Sequence, residues 1–164
     1  MLEDVGFQEI LVKTHYLAEK VEKAIGKNKN VKLLYDADLI GTAQFLKKYQ
    51  DKLDEEFIVM NGDTLTNLNL SEIIEFHLSN NNIATIFTKD NAIHSGGTYV
   101  FNKKVIEYLE DQENIPDLIQ TLIDKDIPIN LYQSNAWYLD IGSKKKLAKA
   151  KMFLQKKGFF LPVE

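Results

Sequence analysis

Short apolar runs alternate along the chain with longer stretches in which apolar residues recur at helical spacing. The apolar runs predict strands at residues 9–13, 31–35, 57–60, 83–88 and 96–101. The stretches between and after them predict helices at residues 14–25, 42–53, 71–77, 103–109, 115–125 and 143–157. Residues 127–142 are interpreted as two strands around a Gln-Ser-Asn turn. Strands that alternate with helices in this way predict a three-layer α/β fold with a mostly parallel sheet.

Capping residues support the predicted helix ends. Thr14, Ser71 and Ser143 each stand where a side-chain oxygen can accept a hydrogen bond from the first helical N–H groups. Gly26 and Gly158 follow the last apolar residue of a helical pattern, which is the usual position of a terminating glycine.

Length and composition limit the classes of function. The chain has 164 residues and a net charge of −4, so we expect a single domain over residues 1–164 and no nucleic-acid partner. All 20 basic residues are lysine, so any recognition of phosphate must use lysine, backbone N–H groups or a metal. Cysteine is absent, which excludes disulfides and thiol catalysis. No apolar run approaches the roughly 18 residues of a membrane span, and the N-terminus lacks a signal-peptide pattern, so a cytoplasmic location is expected.

Two aspartates lie near the carboxyl ends of predicted strands. Asp63 comes after the run that ends at Met60, and Asp140 comes after a run that contains Trp137. Ligands of open α/β sheets bind at the carboxyl ends of the strands, and two carboxylates that meet there suit Mg²⁺. The alternative is that Asp63 only forms a turn and that Asp140 caps the next helix.

Two glycine-containing turns are further candidates. Gly41 and Thr42 open a helix, where backbone N–H groups can meet an anion or where threonine simply caps the helix. Gly96 and Gly97 open a strand, where they either allow a sugar to approach closely or form a bulge.

Five segments, in this order along the chain, resemble the sugar-phosphate nucleotidyltransferases. The similarity is greatest to the branch that includes mannose-1-phosphate and heptose-phosphate guanylyltransferases. The segments are "ILVKTHYLAEKV", "YDADLIGTAQFL", "FIVMNGDTLTNLNLSEIIEFH", "GGTYVF" and "WYLDIGSKKKLAKA".

The resemblance implies a Rossmann-like nucleotidyltransferase fold and a reaction. A sugar 1-phosphate reacts with a nucleoside triphosphate to give a nucleotide-sugar and pyrophosphate. By resemblance, Asp63 and Asp140 hold Mg²⁺. The nucleotide is implied to contact Gly41, Thr42 and Gly62, and the sugar is implied to contact Gly97.

One family feature is absent from the printed sequence. Family members begin with a strand and a G-G-x-G-T-R-L loop that cradles the triphosphate, so the chain is expected to be an N-terminally truncated domain that is inactive alone. The alternatives are half of a split enzyme, or a non-catalytic nucleotide-binding or assembly subunit. Since the absent strand is central in the family, we expect a rearranged sheet, a homo-oligomer or a complementing chain.

Overall fold

The computed structural model describes residues 2–38, 40–89, 96–111 and 114–159. The strands are β1 Ile10–Thr14, β2 Val31–Tyr35, β3 Glu56–Met60, β4 Thr64–Thr66, β5 Ala84–Thr88, β6 Thr98–Asn102, β7 Asn130–Gln133 and β8 Tyr138–Asp140. The α-helices are α1 Ala18–Ile25, α2 Thr42–Lys48, α3 Leu70–Asn80, α4 Ile115–Asp124 and α5 Lys144–Lys156. Short 3₁₀ helices lie at Glu3–Val5, Gln50–Lys52 and Lys103–Tyr108.

The chain divides into two compact units. The first comprises Met1–Glu55 and Lys103–Pro128, and the second comprises Glu56–Asn102 and Ile129–Glu164. The prediction that residues 1–164 form a single domain stays a prediction.

The first unit contains a parallel strand pair and three α-helices. Strands β1 and β2 pair in register from Ile10 opposite Val31 to Thr14 opposite Tyr35. Helix α4 has apolar residues at i, i+3, i+4 and i+7, which line one face of a helix and are all buried. These residues are Ile115, Leu118, Ile119 and Leu122.

The second unit contains a four-stranded sheet in the order β3-β6-β5-β7. Strands β3, β5 and β7 run in one direction and β6 runs against them, so the sheet is mixed but mostly parallel in strand direction. Phe87 and Phe101 are fully buried in its core. Strand β3 lies at one edge of this sheet. The expectation of a rearranged sheet, a homo-oligomer or a complementing chain stays a prediction.

Helix α3 brings a buried histidine to the four-stranded sheet. His77 is 1% exposed; its Nδ1 lies 2.7 Å from Thr85 Oγ1 and its Nε2 lies 2.9 Å from Glu56 Oε2. Asn102 in turn donates a hydrogen bond to the other oxygen of Glu56. Each nitrogen of this buried ring therefore has a polar neighbour, which is how interiors accommodate such groups.

Two of the three predicted N-caps are wrong. Thr14 lies in β1, where its carbonyl accepts a hydrogen bond from the Asp36 N–H, and α1 begins only at Ala18. Helix α3 is capped by Asn69 instead of Ser71, since the Asn69 side chain accepts hydrogen bonds from two N–H groups of the first turn. Ser143 caps α5 as predicted by accepting a hydrogen bond from the Lys146 N–H.

The segment 127–142 does contain two strands, but they do not pair with each other. Strand β7 pairs with β5, whereas β8 pairs with β4 in a separate two-stranded antiparallel ribbon. Strand β4 is only three residues long, and the apolar pattern predicts no strand at its position. Helix α2 is also shorter than predicted and ends at Lys48.

Among the described residues, no helix combines the length and the apolar character that crossing a membrane requires.

Candidate metal and nucleotide site

The β4–β8 ribbon brings the two predicted metal ligands together. Asp63 directly precedes β4, and Asp140 is the last residue of β8, where it pairs with Thr64. The Ile141 N–H donates a 2.8 Å hydrogen bond to the Asp63 carbonyl, which extends the pairing past the end of the ribbon. Residues 77 positions apart in the sequence are thus held side by side by backbone hydrogen bonds.

Both carboxylates approach the backbone at Gly142. A methyl group placed there would lie 2.5 Å from Asp63 Oδ2 and 3.3 Å from Asp140 Oδ1. Since both oxygens lie this near one point, they are also close to each other. Gly142 is not among the glycines with positive φ, so its importance at this position is the absence of a side chain.

Lys146 forms an ion pair with one of these carboxylates. Its Nζ lies 2.5 Å from Asp140 Oδ2, and the Gly142 N–H donates a 2.9 Å hydrogen bond to Asp140 Oδ1. The hydrogen bond from Lys146, followed by that from Gly142, holds the pKa of Asp140 below its ordinary 3.8. Asp140 raises the pKa of Lys146 above its ordinary 10.5, and the charge of Asp63 adds to this effect.

No motif in the sequence points to Lys146 as a partner of Asp140. It ends a lysine run at 144–146 near a helix N-terminus, where the helix dipole disfavours cations. The signal that could have found the pair is the Ser143 cap, which fixes the start of α5 shortly after Asp140.

The donor set fits a divalent cation that shares its coordination with a ligand. Mg²⁺ is typically held by one or two carboxylates, with water and substrate phosphates as the remaining ligands. Asp63 and Asp140 are both exposed, so water and phosphate can reach them. In the described part of the chain, no group of three or more histidine or acidic residues could hold a metal ion. The described residues therefore do not provide a coordination shell made of protein ligands alone.

Gly62 and Gly97, the two glycines of the second unit that are predicted to contact ligands, have different surroundings. Gly62 is exposed, and a methyl group there would meet no atom within 4 Å. Gly97 has a φ of +74°, and a methyl group there would lie 2.8 Å from Asn61 Nδ2. The Asn61 N–H also donates a 2.9 Å hydrogen bond to the Gly97 carbonyl. The fold itself thus requires glycine at position 97, while the predicted contacts of Gly62 with nucleotide and of Gly97 with sugar stay predictions.

Gly41 and Thr42 lie in the first unit, at the start of α2. Gly41 has extended backbone dihedral angles. The Thr42 hydroxyl accepts a 3.1 Å hydrogen bond from the N–H of Ile115, the first residue of α4. Thr42 therefore connects the two helices, and the predicted nucleotide contact of both residues stays a prediction.

Asp36 is a buried carboxylate that the sequence analysis did not single out. It follows β2, is fully buried, and forms an ion pair with Lys48 and a 3.2 Å hydrogen bond with the Tyr49 hydroxyl. Burial raises the pKa of Asp36, but the hydrogen bonds from Lys48 and Tyr49 outweigh it, so the pKa lies below 3.8. Asp36 therefore ties the end of β2 to helix α2, whose first residue is Thr42.

Asp36→Asn is expected to lower the free energy of unfolding by about 1–3 kcal/mol at pH 7, since the amide keeps an acceptor oxygen but loses the negative charge that strengthens the hydrogen bonds from Lys48 and Tyr49. A lowered carboxyl pKa stabilises the fold above the unfolded-state pKa, and this contribution disappears as the pH falls through the folded-state pKa. The difference in unfolding free energy between wild type and Asp36→Asn should therefore shrink as the pH falls below about 3.8. Urea unfolding at pH 7 and pH 3 measures it.

The exposed Asp38 provides the matched control for this prediction. Asp38→Asn removes the same charge and should change the unfolding free energy by less than about 0.5 kcal/mol. Equal stability of Asp36→Asn and wild type at pH 7 would show that the ion pair of Asp36 with Lys48 does not stabilise the fold.

Comparisons with known proteins agree with the fold and the motifs. The nucleotidyl transferase family model matches residues 1–96. The UTP–glucose-1-phosphate uridylyltransferase of Synechocystis sp. is 27% identical over 87% of the chain, which spans 50% of that protein. The D-glycero-α-D-manno-heptose 1-phosphate guanylyltransferase of Aneurinibacillus thermoaerophilus is 23% identical over 92% of the chain, which spans 80% of that protein.

A solved structure has the same fold. The crystal structure of HddC from Yersinia pseudotuberculosis complexed with GMP-PN superposes with a TM-score of 0.74 at 23% identity, covering 93% of this chain and 81% of HddC. This similarity confirms the predicted Rossmann-like nucleotidyltransferase fold. Since the family model covers more than half of the chain, the predicted family is also confirmed: the chain belongs to the nucleotidyl transferase family and is related to the sugar-1-phosphate nucleotidyltransferases.

Proposed function

We propose that the chain binds a nucleoside triphosphate or a nucleotide-sugar through Mg²⁺ held by Asp63 and Asp140. The observation that carries this proposal is the approach of both carboxylates to the backbone of Gly142. Asp140 does form a turn, because its Oδ1 accepts a hydrogen bond from the Gly142 N–H two residues on. That turn does not require the Asp63 carboxylate, which comes from a distant part of the sequence, to lie beside the same glycine. The pairing of β4 with β8 supports the proposal because it fixes both backbones before any ligand arrives.

The proposed reaction is nucleotidyl transfer to a sugar 1-phosphate. A phosphate oxygen of the sugar 1-phosphate forms a bond to the α-phosphorus of the triphosphate, while the bond between that phosphorus and the β-phosphate oxygen breaks. Pyrophosphate leaves with the electron pair of that bond. When bound, Mg²⁺ would supply the positive charge that the phosphates need as this transfer proceeds.

The residues of the chain have defined parts in this proposal. Asp63 and Asp140 hold the cation, and Gly142 keeps the space between them open. Gly41, Thr42 and Gly62 are proposed to contact the nucleotide, and Gly97 the sugar. Since the chain spans 50% of the uridylyltransferase relative, the complete reaction is a proposal, and binding of the nucleotide is the part that we propose to test on this chain.

The base and the sugar are the finer part of the proposal. The relatives are named as a uridylyltransferase acting on glucose 1-phosphate and a guanylyltransferase acting on a heptose 1-phosphate. We propose GTP and UTP as the nucleotides to test first, with ATP as a comparison.

Calorimetric titration with GTP, UTP and ATP tests this function. At least one nucleotide should bind more tightly with Mg²⁺ than without it. Asp63→Ala should weaken this binding by about tenfold or more, because loss of a direct metal ligand should lower metal affinity at least as much as loss of a residue that only orients a ligand. Glu75→Ala removes an exposed carboxylate from α3 and should leave the affinity unchanged. Nucleotide binding that does not respond to Mg²⁺ or to Asp63→Ala would contradict the proposal, as would no binding at all.

A further inference from the structure

Lys146 pairs with one of the two carboxylates that are proposed to hold the divalent cation. Its ammonium group lies 2.5 Å from Asp140 Oδ2, on a carboxylate whose other oxygen approaches Gly142. Each oxygen of Asp140 accepts one hydrogen bond, Oδ1 from the Gly142 N–H and Oδ2 from Lys146, and each retains a second lone pair. A cation bound to Asp140 would lie within a few ångströms of the Lys146 ammonium, so the two positive charges repel each other across the same carboxylate. The cation therefore competes electrostatically with Lys146.

This ion pair is suited to being broken. The side chains of Lys146 and Asp140 are 55% and 48% exposed, and exposed ion pairs are weak because water screens them. The backbone of Lys146 is fixed independently, since its N–H donates a hydrogen bond to the Ser143 side chain. The flexible lysine side chain can consequently leave Asp140 while the start of α5 stays in place.

We propose that Lys146 is a displaceable counter-ion of the metal site, which holds Asp140 in the metal-free protein and yields it to the divalent cation. The proposal rests on the proposed function, because it takes Asp63 and Asp140 as the ligands. It assigns to Lys146 the control of cation affinity, a role distinct from that of the ligands themselves.

The charge of the site gives Lys146 a second effect. Two carboxylates and one ammonium carry a single net negative charge, and a divalent cation turns this into a single net positive charge. Without Lys146 the metal-loaded site would be neutral. Lys146 therefore weakens binding of the cation alone but favours a nucleotide phosphate at the loaded site, because the attraction between opposite charges increases with each charge.

Mn²⁺ titration followed by electron paramagnetic resonance tests the first effect. Lys146→Met should bind Mn²⁺ about three- to tenfold more tightly than wild type, since both a competitor and a nearby like charge are removed. Lys145→Met is the matched control: it removes the same charge from the same turn of α5 and should change the affinity less than about twofold. Lys146→Arg retains the pairing cation and should bind Mn²⁺ within about twofold of wild type.

Nucleotide titration at saturating Mg²⁺ tests the second effect. Lys146→Met should bind GTP or UTP about two- to fivefold more weakly than wild type, opposite in sign to its effect on Mn²⁺ alone. A residue with a merely structural role would weaken both interactions together. Unchanged or weaker Mn²⁺ binding by Lys146→Met would overturn the proposal, and so would unchanged or tighter nucleotide binding.

Asp63→Ala separates failure of this inference from failure of the proposed function. Suppose that wild type binds Mn²⁺, that Asp63→Ala abolishes this binding and that Lys146→Met leaves the affinity unchanged. In that case the counter-ion role is wrong while the metal site stands. If Asp63→Ala leaves Mn²⁺ binding unchanged in both the wild-type and the Lys146→Met background, the metal site itself is wrong and the inference falls with it.

Discussion

Gly142→Ala is expected to weaken Mn²⁺ binding by about 10–100-fold, the range typical of residues that support metal ligands without binding the metal. The new methyl group would lie 2.5 Å from Asp63 Oδ2 and 3.3 Å from Asp140 Oδ1, so the Asp63 carboxylate must move away. The backbone at Gly142 is not in the left-handed region, so alanine can adopt it without strain. Mn²⁺ titration by electron paramagnetic resonance measures the loss.

A double-mutant cycle identifies the cause. If alanine at position 142 acts by displacing Asp63, its effect on Mn²⁺ affinity should fall below about threefold in the Asp63→Ala background. A full effect in that background would show that Gly142→Ala acts elsewhere. Wild-type Mn²⁺ affinity in Gly142→Ala would contradict the site geometry directly.

Phe101→Ala is expected to lower the free energy of unfolding by about 3–5 kcal/mol. Phe101 is fully buried in β6, which lies between β3 and β5, and its ring lies 5.8 Å from the rings of Phe57 and Tyr99. Truncation removes these contacts and leaves a cavity in the core of the second unit. The midpoint of urea unfolding should fall, and its slope should stay constant if the unfolded state is unchanged.

Phe159→Ala makes the same truncation at an exposed position. Phe159 is 53% exposed and has one ring neighbour among the described residues, Trp137 at 6.3 Å. Its removal should change the unfolding free energy by less than about 1 kcal/mol. A similar loss for both variants would show that burial does not explain the importance of Phe101.

Apolar patterning predicted most of the elements because it reports burial. Strand β2 has the predicted bounds, and the fully buried run of β5 lies within the predicted 83–88. Local polar chemistry predicted the helix starts less well. Asn69 and Ser71 are both suitable caps, and only the path of the backbone decides which side chain reaches the free N–H groups.

Strand β4 shows what patterning could not predict. Its three residues contain no apolar run, and they form a strand because β8, far away in the sequence, supplies the pairing partner. The site depends on this same long-range pairing. The positions of Asp63 and Asp140 at strand ends, together with the resemblance to nucleotidyltransferases, predicted both residues as ligands, but the contact of Lys146 with Asp140 required the position of α5 relative to β8.

The central claim is that Asp63 and Asp140 together hold a divalent cation. Crystals grown with Mn²⁺ and the nucleotide that binds best test it most directly, since Mn²⁺ can be located by its anomalous scattering. We expect one anomalous peak within coordination distance of a carboxylate oxygen of each aspartate, with Lys146 moved away from Asp140. A peak that contacts neither aspartate would contradict the claim. So would a bound nucleotide without any Mn²⁺ between Asp63 and Asp140.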